Sequence, residues 1–325
     1  MSARRKRQPE QTLFAFAEER EEKRKGVDEL FASVGAYGVG RRFLQLLEQV
    51  GRFRAYGPFN ALLAALQRPK ARCILPPSRW RKYNREVKRD ATPIILLRPF
   101  SPVTCVFDVA DTRVVRGRED RFPPELAPEE LKEPVAPVSE KTVQTLLDRL
   151  PWWGILHETV PTGPAASGEL HLADANTPLM QVRIKGECCA DWRPVYVLAT
   201  RREVSPTDRF AALTHELARL FCRHLHCGFE KGWQGGRDLS LPEESFEADV
   251  VVWLVSRRLG VASPAYRAVS DYLDQNGVVP GISLDTVLEA VAEIETMLGE
   301  CTVRDGYLHR LSPSFAALLK SEDGN

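Results

Sequence analysis

Thr214-His215-Glu216-Leu217-Ala218-Arg219-Leu220-Phe221 is the stretch on which the reading of this 325-residue chain turns. Ser205-Pro206-Thr207-Asp208 precedes it, a capping sequence with proline early, so a helix is expected over 207–225. Two histidines four apart on a helix project from one face and can share one metal ion. A glutamate directly after the first can then act as general base on metal-bound water. Here His215 and Glu216 are in place, but the second histidine position holds Arg219, giving H-E-x-x-R. A guanidinium keeps its proton and cannot ligate a metal. It would instead pair with a carboxylate, Glu216 or Glu247. His224 and His226 lie about 13–17 Å along a continuous helix from His215, and read as ordinary helix-end or loop residues. Cys222 and Cys227 flank this segment, and buried reduced thiols are the plainer reading of them.

A second helix is expected over 243–259. Glu243-Glu244-Ser245-Phe246-Glu247-Ala248-Asp249 opens it and an unbroken apolar run, 250–255, follows, so it should be packed on several sides. Glu243 and Glu244 suit the helix dipole. Glu247 and Asp249 sit deeper, where an unpaired carboxylate is expensive. Further helices are expected over 140–150, 264–275 and 283–298, and strands around 168–172, 180–184 and 195–199.

With these residues in view, 205–275 resembles the ImmA/IrrE-type zinc metallopeptidases. The resemblance rests on Phe210 to Ala218, Phe221 to Leu225, Phe246 to Asp249 and Ser256 to Gly260. It implies a zincin-like α+β domain over 140–325 with His215 as first zinc ligand, Glu216 as catalytic base and Glu247 as third ligand. Asp249 and Glu244 stand as alternatives to Glu247. Arg219 departs from the pattern, so the expectation is a degenerate, inactive peptidase domain, with zinc as cofactor only if the site is metallated. An active zinc endopeptidase cutting a regulatory protein, and a non-catalytic interaction scaffold, remain open.

The front of the chain carries cations interleaved with aromatics. Arg52, Phe53, Arg54 and Tyr56 form one group, and Arg79, Trp80, Lys82, Tyr83, Arg85 and Lys88 the other. Cations can follow phosphates while exposed aromatics stack unpaired bases; the plainer alternative is a solvated basic helix with Trp80 in the core. Tyr56 to Leu63, Gln67-Arg68-Pro69, Trp80, Arg85 to Lys88 and Phe107-Asp108-Val109 resemble the N-terminal domain of ArdC-type antirestriction proteins. That resemblance implies single-stranded DNA as partner for an α+β module over 40–112, with Arg52, Arg54, Tyr56, Arg79, Trp80, Lys82, Arg85 and Lys88 as contacts. In this module helices are expected on either side of the Tyr56-Gly57-Pro58 turn, with strands over 93–99 and 103–109. Residues 1–39 read as a charged extension, and 113–139, rich in Pro, Glu and Arg, as a linker.

Composition sets the outer limits. The chain is 43% hydrophobic and 27% charged with net charge +1, ordinary for a globular protein, and the basic residues crowd its first quarter. No run approaches the roughly 18 apolar residues of a membrane span, and no apolar core follows the basic N-terminus, so a cytoplasmic protein is expected. Seven cysteines without a C-x-x-C pair give neither a disulfide framework nor a zinc knuckle. A G-x-S-x-G elbow, a phosphate loop and a dinucleotide fingerprint are all missing.

Overall fold

The computed structural model describes residues 40–98, 101–130, 132–161, 168–184, 187–225 and 237–299. The extension expected over 1–39, and His226, Cys227 and His309, lie outside these residues. The described chain is mixed α+β. Its front part comprises α1 (Gly40–Arg52), α2 (Pro58–Gln67), β1 (Ile74–Leu75), α3 (Pro77–Lys82), β2 (Arg85–Val87), β3 (Ile94–Arg98), β4 (Ser101–Asp108) and β5 (Thr112–Val114). After it come α4 (Glu140–Arg149), β6 (Ile155–Val160), β7 (Gly168–Leu172), β8 (Met180–Ile184), β9 (Glu187–Trp192) and β10 (Tyr196–Arg201). Four helices close the described chain: α5 (Pro206–Phe221), α6 (Leu241–Leu259), α7 (Ala265–Asn276) and α8 (Leu284–Leu298).

The sheets are small. One antiparallel sheet has order β1-β4-β3, and β2 pairs β5. In the second half β10 is central, parallel to β6 and antiparallel to β7, while β8 and β9 form a separate pair. β1, β2, β5, β6 and β9 fall outside the expected strands. Strand β3 would expose an unpaired edge, a template for unwanted pairing. Two side-chain amides of α2 close it. Asn60 donates to Leu97 O and accepts from Leu97 N, both at 2.9 Å, and Gln67 does the same at Ile95 at 2.8 and 2.9 Å.

Local signals fix the helices that matter. Ser205 caps α5 by accepting from Asp208 N at 3.2 Å. Glu243 accepts from Ser240 N at 2.9 Å at the head of α6, and Gly260 ends that helix in the left-handed region at φ 77°. The run Val250 to Val255 is buried throughout because α6 packs against α1, α5, α7 and α8. It is the central strut of the molecule.

The expected boundary at 113–139 does not interrupt the core. α1 presents Phe43, Leu46, Leu47 and Val50, spaced for one helical face, to the same buried cluster that holds Phe246, Trp253 and Val287. Arg258, at the end of α6, ties the halves together: it donates to Val50 O at 3.0 Å and Tyr56 O at 2.7 Å, and pairs with Glu295 at 2.6 Å. The proline-rich segment is a strap held at several points. Phe122 packs on Trp80 with ring centroids 5.3 Å apart, Asp120 pairs with Arg85, and Glu133 meets Arg257 at 3.0 Å. Among the described residues no helix is long and apolar enough to cross a membrane.

Candidate functional site

α5 stops four residues sooner than expected, and that decides the site. Arg223 takes a left-handed backbone, φ 64°. Its amide reaches Leu220 O at 3.1 Å, and His224 N reaches Arg219 O at 2.9 Å, the paired bonds of a Schellman stop. Glycine usually occupies that position, so the stop was invisible in the sequence. The turn sends His224 back into the core instead of onward along the helix axis.

On the outward face of α5 the three expected residues stand together. Glu216, with 6% of its side chain exposed, lies between two neighbours that are each about a third exposed. His215 Nδ1 is 3.3 Å from its Oε1, and Arg219 Nη1 donates to its Oε2 at 3.1 Å. His215 and Glu216 open onto a cavity of about 380 Å³, lined also by Gly168 of β7, Asp249 of α6 and Ala265 of α7, while Arg219 holds Glu216 from outside the lining. Gly168 lets the strand pass close: a Cβ there would stand 3.2 Å from Glu216 Cγ. Burial lifts the Asp249 carboxyl above its usual range, against the opposing pull of His215.

Glu247 is not part of this cavity. One helical residue turns the side chain about 100°, so Glu247 and Asp249, two apart, point in nearly opposite directions. Glu247 is fully buried and satisfied on its own side. It accepts from His224 Nε2 at 2.7 Å, from Arg237 Nη1 at 2.6 and 2.8 Å, and from Ser283 N at 2.9 Å. Burial would raise its pKa, but the bonds from His224 and Arg237 outweigh that and hold it below its usual range. Cys222 lies alongside, its thiol pushed well up by burial and then by the Glu247 charge. Glu244 is buried in the first turn of α6 and does not line the cavity either.

Two places could therefore be asked to hold zinc. The first does not fit it: Arg219 replaces one ligand, and the expected third, Glu247, faces away. In the second, the ligating atoms of Cys222, His224 and Glu247 all lie within 4.8 Å of one another, the one such trio among the described residues. The donor types suit zinc, yet Arg237 and Ser283 already take up lone pairs of the carboxylate. His224, Cys222 and Arg237 were all missed as partners of Glu247. Only a signal for where α5 ends could have found them.

The expected DNA contacts separate into withdrawn and available groups. Trp80 cannot stack on a base, since it is fully buried, donates its indole N–H to Phe107 O at 3.0 Å and packs against Phe122 and Tyr83. Tyr56 is half-buried with its hydroxyl on Ile74 O at 3.0 Å. Arg85 pairs with Asp120 and donates to Thr112 Oγ1 at 2.8 Å; Arg52 donates to Ala71 O at 3.3 Å. Arg54, Arg79, Lys82 and Lys88 are exposed, although the Lys88 ammonium also donates to Ala110 O at 2.7 Å. The aromatics serve the core because a six-residue helix such as α3 has only one face to bury, and Trp80 is its largest apolar side chain. No protein-family model matches the chain, and no curated protein or solved structure matches it.

Proposed function

We propose that the chain is a DNA-associated regulatory protein of antirestriction type, acting in the cytoplasm, whose peptidase-like cleft binds a protein segment without cutting it. What supports the reading is that both carboxylates expected to do peptidase chemistry are held by arginines, Glu216 by Arg219 and Glu247 by Arg237. A general base needs a free oxygen to take the proton of water. A metal beside Arg219 would meet a fixed positive charge within a few ångströms. The cleft keeps its shape, a histidine and two acidic groups, which suits a polar peptide segment. Arg54, Arg79, Lys82 and Lys88 then serve as phosphate contacts for single-stranded DNA.

The test is metal content and peptide cleavage in tag-free protein, wild type against Arg219→His. The expectation is zinc in the variant alone, held by His215, the introduced imidazole and Asp249. Stoichiometric zinc in the wild type, with cleavage that vanishes in Glu216→Gln, would overturn the proposal in favour of an endopeptidase. Zinc in the wild type that disappears in Cys222→Ser, without cleavage, would place a structural metal at the buried trio, the second reading that the 4.8 Å clustering favours. For the DNA arm, replacing Arg79, Lys82 and Lys88 with alanine should weaken oligonucleotide binding. Its salt dependence should become shallower by about 0.7 for each phosphate that is no longer neutralised.

A further inference from the structure

A second cavity, of about 540 Å³, lies between the α1–α2 turn, the strap and the end of α6. Arg52, Arg54, Arg72, Lys132 and Arg257 line it, with Glu125 as the one carboxylate among the lining residues. We infer that this crevice is a binding site for a phosphomonoester carrying an organic group, with Arg257 and Arg52 as the phosphate-holding residues.

Arg257 is the strongest sign. Its side chain is 4% exposed, and Nη1 is occupied by Lys132 O at 2.8 Å and Glu133 Oε1 at 3.0 Å. Its Nη2 is buried with no partner, as is Nε of Arg52. A buried donor left without an acceptor costs about 1–3 kcal/mol, and a phosphate oxygen satisfies such donors with charge-assisted bonds. Burial, then the adjacent Arg72 and Arg257, hold Arg52 below its usual pKa against the pull of Asp108. Glu48 pulls in the same sense as Asp108 and also faces Arg257, so the carboxylates offset part of the repulsion among the cations and an anion in the crevice offsets more. The partner of Arg72, Glu129 at 3.5 Å, is almost wholly exposed and gives little neutralisation.

The backbone is shaped around these side chains. A Cβ at Gly51 would overlap Arg257 Cγ, and one at Gly260, in the left-handed region, would stand 2.8 Å from Arg54 Nη1. Gly51 leaves room for the aliphatic stem of Arg257, and Gly260 for the guanidinium of Arg54. The far wall carries Leu126 and Pro128, and the volume falls in the range of about 300–1,000 Å³ typical of small-molecule sites. An inorganic phosphate would fill a corner of it; a phosphate with an organic body fills the rest. The site does not depend on the cleft at His215 or on the DNA reading.

The experiment is calorimetric titration of the full chain with thymidine 5′-monophosphate, inorganic phosphate and thymidine. Saturable binding of the monophosphate, weaker binding of phosphate and none of thymidine are expected. Arg257→Met and Arg52→Met should each weaken the monophosphate by about tenfold or more, whereas Lys141→Ala, an exposed cation away from the crevice, leaves it unchanged. Arg52→Met keeps the Arg257–Glu133 pair, so a variant with an intact thermal transition is available even if Arg257→Met does not fold. Failure of the monophosphate to bind, or equal affinity in wild type and both methionine variants, would overturn the assignment. Competition by an oligothymidylate with a 5′-phosphate but not by its 5′-hydroxyl form would identify a strand end as the source. Competition by neither would identify a free metabolite.

Discussion

On α6, Glu247 and Asp249 are separated by a single alanine and share the same helix, yet they face opposite environments. Glu247 is sealed in the core among His224, Arg237 and the Ser283 amide, and its carboxyl is held below its usual range. Asp249 looks into the cleft beside His215, and burial pushes its carboxyl up. The first arrangement stabilises the fold. The second leaves a group strained in its charged form at a cavity mouth, where binding sites are built. The difference shows that an acidic residue on an apolar helix gains meaning from the side it faces, and that a single turn of sequence can hold both a structural and a binding carboxylate.

The largest effect should come from breaking the buried side. Glu247→Ala leaves the Arg237 guanidinium and His224 without their acceptor, and removing one member of a buried ion pair costs about 3–5 kcal/mol. Urea denaturation should show a loss of stability of that order. A loss below about 1 kcal/mol would mean that the cluster contributes little and that Glu247 is free for other work. The pH dependence follows from the depressed pKa. The contribution of Glu247 is complete above its ordinary value of 4.5 and is lost as pH falls through the lower folded value. Glu247→Gln should therefore flatten the acid limb of the stability profile.

How far the sequence alone leads is visible in this same pair. The apolar run after Asp249 marks α6 as a buried strut and Ser205-Pro206 marks where α5 begins, because caps and periodicity are local; α6 itself starts two residues before the expected Glu243, capped by Ser240. His215, Glu216 and Arg219 could be placed on one stretch of helix from spacing alone. The facing of Glu247 could not, since it depends on Arg223 stopping α5 and on Arg237 arriving from beyond the segment that follows His224. Long-range partners of this kind leave no local mark. Trp80 shows the opposite failure, where aromatic and basic residues alternate as they would on a DNA-binding face, yet tertiary packing claims the ring and leaves several of the cations outside.

A smaller effect should follow from crowding the cleft. Gly168→Ala places a methyl 3.2 Å from Glu216 Cγ and 3.4 Å from Ala212 O, tighter than ordinary contact, so strand or side chain must yield. Overpacking of this kind costs about 1–3 kcal/mol, and the lower end is expected because the cleft is open. If the Glu216 carboxylate shifts, its pairing with Arg219 weakens. Arg219→Ala should by itself cost no more than about 1 kcal/mol, because the arginine is about a third exposed. A double-mutant cycle between the two positions would report their coupling. A coupling indistinguishable from zero would mean that Gly168 acts on the helix backbone rather than through Glu216.

The smallest effect in size is the most informative in sign. The raised pKa of Asp249 means that the folded state holds its proton more readily than the unfolded chain, so its charge works against folding above the raised value. As pH falls through that value toward the ordinary 3.8 the penalty disappears. Asp249→Asn should thus be neutral or slightly stabilising at pH 7, within about 0.5 kcal/mol, and its advantage over wild type should shrink on acidification. Glu247→Gln must run the other way, with a deficit at neutral pH that narrows as acid protonates the wild-type carboxylate. Measured side by side by urea denaturation across pH, the two variants should therefore approach wild type from opposite sides. A clear loss of stability at pH 7 in Asp249→Asn would mean that the Asp249 carboxylate is satisfied by its attraction to His215, and the cleft would then be a closed ion-pair network like its neighbour.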